Sequence, residues 1–236
     1  MKVRKLNAWD VDYAGALAIQ ERLRRRIVRR GNVRKVRLVA GADVSYDKKS
    51  DRFYAGVVVM TFPELRVVEE ASAVGVANFP YIPGLLTFRE GPILVRAFEK
   101  LQTTPDLVIF DGQGVAHPRG VGLAAHMGLL LDVPSVGCAK TRLCGEHAGV
   151  ARARGSRTDL RLDGRLVGLV VRTRASVKPV FVSVGHRIAL SAAAQWVLAT
   201  SRGCRLPEPT RQAHLLVNRL RRGFDSPQRG QPANRR

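Results

Sequence analysis

The chain has 236 residues, 45% of them hydrophobic, and carries 40 lysines and arginines against 19 aspartates and glutamates, a net charge of +21. That size suits one domain with a large core; no stretch holds the ~18 uninterrupted apolar residues of a membrane span, and the opening MKVRKLNAWD has no apolar signal core, so a cytoplasmic protein is expected. The charge excess points to a polyanionic partner, because each phosphate neutralised by Lys or Arg releases a counterion.

The cysteines are Cys138, Cys144 and Cys204. An odd number without CxxC spacing argues against a disulfide frame and against a zinc site, and small buried thiols are expected.

Residues 10–30 read as a helix: Ala16, Ile19, Leu23 and Ile27 follow the helical repeat, and Gly31 is placed to cap it. Three strand-like segments follow, at 36–46, 53–62 and 65–76. Their short polar connections predict an antiparallel meander. The loop Pro80-Tyr81-Ile82-Pro83-Gly84 comes next, then a helical stripe of Ile93, Leu94, Ala97, Phe98 and Leu101 with Pro92 suited to its first turn. Residues 106–111 (DLVIFD) and 135–140 (SVGCAK) predict short strands on either side of a buried helix at 121–132. Further strands are expected at 165–172 and 178–184 and a helix at 188–200. In the last helix, Ala213, Leu216, Val217 and Leu220 form an apolar stripe with His214 at its edge. Beyond Gly223 the chain turns polar, and a disordered basic tail (223–236) is expected after a single domain over 1–222. Strands first, then alternating helix and strand, predict a mixed α/β sheet flanked by helices.

Several polar residues stand where chemistry could use them. Asp43 interrupts the apolar run 38–44, and a mid-strand carboxylate is costly to bury unless paired or bound to a cation. Asp111 follows a strand end, where α/β sheets gather ligands, although Asp-Gly is also a common turn. Glu90 is expected just before a helix start, where the helix dipole favours its anion. Lys140 ends a strand and is suited to neutralising phosphate charge. His214 and His117 are further candidates, while His126, inside an apolar helix, reads as structural. Taken singly, each has an ordinary structural role. Together, Asp43, Glu90 and Asp111 on three elements of a strongly basic chain suggest oxygen ligands for a hard divalent cation, which activates water in phosphodiester hydrolysis. A binding module without catalysis would gain nothing from three carboxylates facing phosphate.

The segments GADVSY, PYIPGLLTFREGP, DGQGVAHPRGVGLAAHMG, VPSVGCAKTRL, VKPVFVSVGHRI and RLPEPTRQAHLLVNRLR resemble the endonuclease V family, in family order from about residue 36 to 222. The resemblance implies a ribonuclease H-like mixed sheet flanked by helices, with Asp43, Asp111 and Glu90 as ligands of Mg²⁺ (Mn²⁺ substituting) and Lys140 and His214 around the scissile phosphate. It implies damaged DNA as partner and a monomer cutting the second phosphodiester bond 3′ to deoxyinosine, leaving 3′-hydroxyl and 5′-phosphate ends. An alternative is a related nuclease acting on inosine-containing RNA. By the same resemblance Pro80, Tyr81, Ile82, Pro83 and Gly84 form a stiff wedge entering DNA, and Gly84, Leu86, Gly112, Gly122 and Gly137 line a base pocket; His117 is a further DNA-binding candidate. Extruding a weakly paired base costs less than extruding a well-paired one.

Overall fold

The computed structural model describes residues 1–225 apart from Asn32 and Arg34. Most of the expected disordered tail (226–236) therefore lies outside the described residues. β1 (Leu38–Asp47), β2 (Arg52–Thr61) and β3 (Val67–Val76) form the predicted antiparallel meander. β4 (Leu107–Phe110) lies parallel beside β1, and β5 (Ser135–Ala139) parallel beside β4. β6 (Arg157–Leu162), β7 (Arg165–Val171) and β8 (Val180–His186) make a second antiparallel meander that joins through β8 to β5. The strand order is β3-β2-β1-β4-β5-β8-β7-β6, a mixed sheet of the ribonuclease H-like kind that the resemblance implied.

Among the described residues five helices cover it: α1 (Tyr13–Arg24), α2 (Leu86–Glu99), α3 (Leu123–Leu131), α4 (Leu190–Thr200) and α5 (Glu208–Asp225). Side chains alternate across a strand, and the core divides accordingly. Val39 and Ile109 share a cluster with α4 and α5, whereas Ala40, Ala42, Val108 and Phe110 pack with Leu94 and Phe98 of α2 and Met127 of α3. Among the described residues no helix is long and apolar enough to cross a membrane.

Five expectations need correction. α1 stops at Arg24, six residues short of Arg30, because Val28 is captured by β8: its N–H donates to His186 Nδ1 (3.3 Å) and its carbonyl accepts from Arg187 N–H (2.7 Å). α2 starts at Leu86, so Pro92 lies inside it and Glu90 sits in its second turn. β6 was not expected, although its turn to β7 is an Asp-Gly pair with positive φ at both residues (49° and 74°), the geometry favoured in two-residue hairpins. α5 continues through Asp225, past the Gly223 at which the helix was expected to end. Of the cysteines, only Cys138 is fully buried, and Cys144 and Cys204 are half-buried.

Candidate active site

The register of β1 and β4 brings two acids together. Ala42 pairs with Phe110, and the Asp111 N–H donates to the Ala42 carbonyl at 3.2 Å. Asp43 and Asp111 are each the next residue along, so their side chains leave neighbouring parallel strands on the same face. β4 ends there, freeing Asp111 to turn toward Lys140, just past the end of β5, whose Nζ lies 2.5 Å from Asp111 Oδ2. Arg205 donates to the Lys140 and Pro179 carbonyls and fixes the strand ends behind this pair.

α5 delivers the histidine. It crosses β1 so closely that a Cβ on Gly41 would stand 2.0 Å from the Pro209 backbone; glycine is therefore required. His214 then reaches Asp43 Oδ2 with Nδ1 at 2.8 Å. Asn218, one turn on, donates from Nδ2 to His214 Nε2 (3.0 Å) and to the His214 carbonyl (2.9 Å). An amide nitrogen facing a carbonyl must be the donor, so Nε2 accepts and Nδ1 carries the hydrogen given to Asp43.

Glu90 approaches from α2. Its carboxyl is pushed up to about 8, first by enclosure in protein and then by the nearby charges of Asp43 and Asp111. The expected dipole-stabilised anion is thus corrected: in the second turn, burial and like charge outweigh the helix N-terminus. Asp43 is also raised, by burial and Asp111, with His214 and Lys140 pulling the other way. Crowded acids of this kind mark functional sites. Among the described residues no three His, Cys, Asp or Glu side chains form a closed metal-ligand set. The donor chemistry nevertheless fits a hard cation: neighbouring carboxylates holding excess negative charge, offering oxygen.

Beside the acids lies a cavity of about 120 Å³. Tyr81, Ile82, Pro83, Gly84 and Leu86 form one wall, and Gly112, Gly122 and His117 form another. Tyr81 is 69% exposed. Pro80 and Gly137 are not in the wall. A Cβ on Gly137 would stand 2.3 Å from the Gly114 nitrogen, so this glycine packs beneath the cavity floor.

The endonuclease V family profile matches residues 21–215. The chain belongs to the endonuclease V family. It is 46% identical over 220 residues to endonuclease V of Dehalococcoides mccartyi, covering 93% of this chain and 99% of that one. The crystal structure of endonuclease V from Streptomyces avermitilis superposes with a TM-score of 0.88 at 40% identity, over 96% of this chain and 100% of that one. A Ciona intestinalis endonuclease V, bound to a 24mer DNA containing an inosine followed by a ribo-adenosine, superposes with a TM-score of 0.77 at 26% identity, over 88% and 96% of the two chains.

In this endonuclease V chain the PYIPG loop is held from behind. Gly84, at φ +80°, presents its carbonyl to three donors: Gln20 Nε2 (2.9 Å), His117 Nε2 (2.9 Å) and Arg119 Nη2 (2.8 Å). Gln20 also donates to the Val121 carbonyl and accepts from Arg119 Nε. His117 Nδ1 accepts from the Arg119 N–H (3.1 Å), which fixes the Nε2–H tautomer. Burial pushes His117 down to about 4, outweighing its bond to Gly84, and Arg119 adds to the depression. His117 is thus a neutral clamp whose ring lines the cavity while both its nitrogens are engaged within the protein. The sequence reading missed Gln20, Arg119 and Asn218. Gln20 carried a signal: it falls between Ala16 and Leu23 on the buried face of α1, where a side-chain amide must find partners. Asn218 carried one too, at i+4 from His214.

Proposed function

We propose that this chain is a divalent-metal-dependent repair endonuclease that hydrolyses the second phosphodiester bond 3′ to deoxyinosine, leaving 3′-hydroxyl and 5′-phosphate ends. The observation that carries this reading is that Asp43, Asp111 and Glu90 lie near enough for Asp43 and Asp111 to raise Glu90 and for Asp111 to raise Asp43, with Gly112 of the cavity lining following Asp111 directly. The family match and the inosine-containing DNA held by the Ciona intestinalis protein support the substrate.

Asp43 and Asp111 would hold Mg²⁺, or Mn²⁺ in its stead, with Glu90 beside them. When bound, such an ion lowers the pKa of water and offsets negative charge on phosphate. Lys140, beside Asp111, neutralises charge building on the phosphoryl oxygens. His214, held between Asp43 and Asn218, orients Asp43. Tyr81 fills the gap in the duplex when the damaged base turns into the cavity. Two prolines limit the freedom of its loop, so little ordering entropy is lost on entry. The cavity is small, with Gly84, Gly112 and Gly122 among its lining residues, and excludes bulkier base edges. The enzyme acts as a cytoplasmic monomer.

A second reading is an RNA nuclease directed at inosine. It is favoured by one observation, the ribo-adenosine that follows inosine in the DNA bound by the Ciona intestinalis protein. One assay separates the readings: nicking of matched duplexes with hypoxanthine in DNA or in RNA, with Mg²⁺ and then with excess chelator. Cutting of the DNA at the second bond 3′ to the lesion, abolished by chelation, is expected. Cutting that survives chelation would overturn the metal-dependent mechanism.

A further inference from the structure

Next to the base-sized cavity is an open cleft of about 140 Å³, and the His117 ring is the partition, lining both. The cleft is walled by Arg24 at the end of α1, by Arg29 five residues on, and by Arg165 at the start of β7. Asp163 also lines it. Among the described residues Asp163 forms no ion pair with these arginines, Arg29 and Arg165 have no ion-pair or side-chain hydrogen-bond partner, and Arg24 meets only Glu21, at 3.8 Å. Guanidinium groups facing one space repel each other until an anion joins them, and their planar forks match phosphate oxygens. Burial and the neighbouring charge of Arg24 both lower the proton affinity of Arg29, consistent with a missing counter-charge.

The position of the cleft gives it a direction. The segment from Asp111 to Gly120 passes the acids first, then the cavity at Gly112, then the His117 partition. It ends at Gly120, where a Cβ would stand 3.5 Å from Arg24 Nε. The carboxylates therefore adjoin the cavity at Gly112 and the arginines adjoin it at His117. We propose that the cleft formed by Arg24, Arg29 and Arg165 takes a backbone phosphate of the lesion strand on the 5′ side of the damaged nucleotide. This rests on the reading above, in which the strand 3′ of the lesion runs to Asp43 and Asp111; the 5′ strand must then leave across His117 toward the arginines.

The test is binding, measured with chelator present so that nothing is cut. An Arg24→Gln/Arg29→Gln double variant is compared with wild type on a hypoxanthine duplex across a salt series. Each phosphate no longer neutralised by an arginine makes the plot of log affinity against log salt shallower by about 1. A slope shallower by about 1 or more is expected, with the melting temperature unchanged. The control Arg66→Gln, in the β2–β3 connection at the far end of the sheet, keeps the wild-type slope. On a duplex whose lesion strand begins at the damaged nucleotide, with the complement left full length, wild type and double variant then bind alike. An unchanged slope on the full duplex overturns the proposal. So does a shallower slope that persists on the truncated duplex, which would assign the arginines to the complementary strand. Failure of the wild type to nick the full duplex when metal is restored would instead sink the functional reading, and the salt slopes would still decide the cleft.

Discussion

Asn218 sits one helical turn beyond His214 and spends both hydrogens of its amide on it, one on ring Nε2 and one on the backbone carbonyl. The consequence is directional: the His214 hydrogen is placed on Nδ1, toward Asp43. Asn218→Ala removes the group that fixes this tautomer without touching a carboxylate. Supporting groups around a metal or catalytic ligand typically contribute 10- to 100-fold, and a loss of about that size in nicking rate is expected, with little change in substrate affinity. Asn218→Asp keeps the size of the side chain but replaces the donor at Nε2 by an acceptor; a comparable loss in that variant separates positioning from mere loss of packing. Single-turnover nicking checks both.

Glu90 is costly to keep ionised in the folded chain. A carboxyl at about 8 in the folded chain and near 4.5 when unfolded opposes folding once pH rises above 4.5, and the penalty grows until about pH 8. Glu90→Gln removes it. The variant without added metal is expected to be more stable than wild type at pH 8, by at least about 1 kcal/mol, and equal to it near pH 4. Its nicking is expected to fall at least tenfold. Denaturant unfolding at the two pH values checks the sign. Destabilisation at pH 8 would show that Glu90 is held by favourable interactions, and its role as an acid awaiting a cation would fail.

Some of this site is legible in the sequence and some is not, for physical reasons. Asp43 and Asp111 declare themselves because each breaks or ends an apolar strand, and period-two patterning puts both on one face. The β1–β4 pairing that joins them is long-range and enters only through the family resemblance. Glu90 is identifiable as an acid, but its setting is not: Pro92 suggests a helix start there, while the Ile82–Leu85 turn (Leu85 N–H to Ile82 carbonyl, 2.9 Å) starts the helix earlier. That shift exchanges a stabilising dipole for a crowded interior. The Gly84 clamp draws on Gln20, His117 and Arg119, and no spacing rule connects residue 20 with residue 84. β6 was missed because it has no continuous apolar run, although Arg157, Asp159 and Arg161 alternate with Thr158, Leu160 and Leu162 as in a half-buried strand and the Asp163-Gly164 turn was in plain view.

Of three buried histidines, all held below the ordinary range chiefly by burial, two carry large shifts that weaken the fold in acid. His126 is fully buried, stacked on Trp9 (ring centroids 5.3 Å), and meets Asn7 Oδ1 with Nε2 at 2.8 Å; burial pushes it down to about 3. His117 stands at about 4. Both take up protons near 6.5 only after unfolding, so the unfolded chain binds more protons, and stability rises with pH between about 4 and 6.5. Each contributes up to about 1.4 kcal/mol per pH unit in that window. His126→Phe keeps the aromatic stack and removes one of the two. The slope of unfolding free energy between pH 4.5 and 6 is expected to fall by about 1.4 kcal/mol per unit, while the variant at pH 7.5 loses only the Asn7 hydrogen bond. An unchanged slope would mean that His126 is already protonated in the folded protein.

The PYIPG loop and its clamp are separable by mutation. Tyr81 is exposed and makes no hydrogen bond among the described residues, so Tyr81→Ala should leave folding untouched and act only on DNA. If the ring fills the space vacated by an extruded base, its loss weakens binding to hypoxanthine duplex by about 1–3 kcal/mol, the range for aromatic stacking on a base, while intact duplex is bound as before. Gln20 is 0% exposed and never meets DNA. Gln20→Leu leaves the Val121 carbonyl and the Arg119 guanidinium short of a buried partner, at a cost of about 1–3 kcal/mol in stability, and frees the Gly84 turn. The two variants should therefore converge on one phenotype, reduced preference for damaged over intact duplex, from opposite sides of the loop. Only Gln20→Leu should also lower the melting temperature. Full discrimination in Gln20→Leu would show that Gly84 is fixed well enough by His117 and Arg119, and the part of α1 in recognition would be lost.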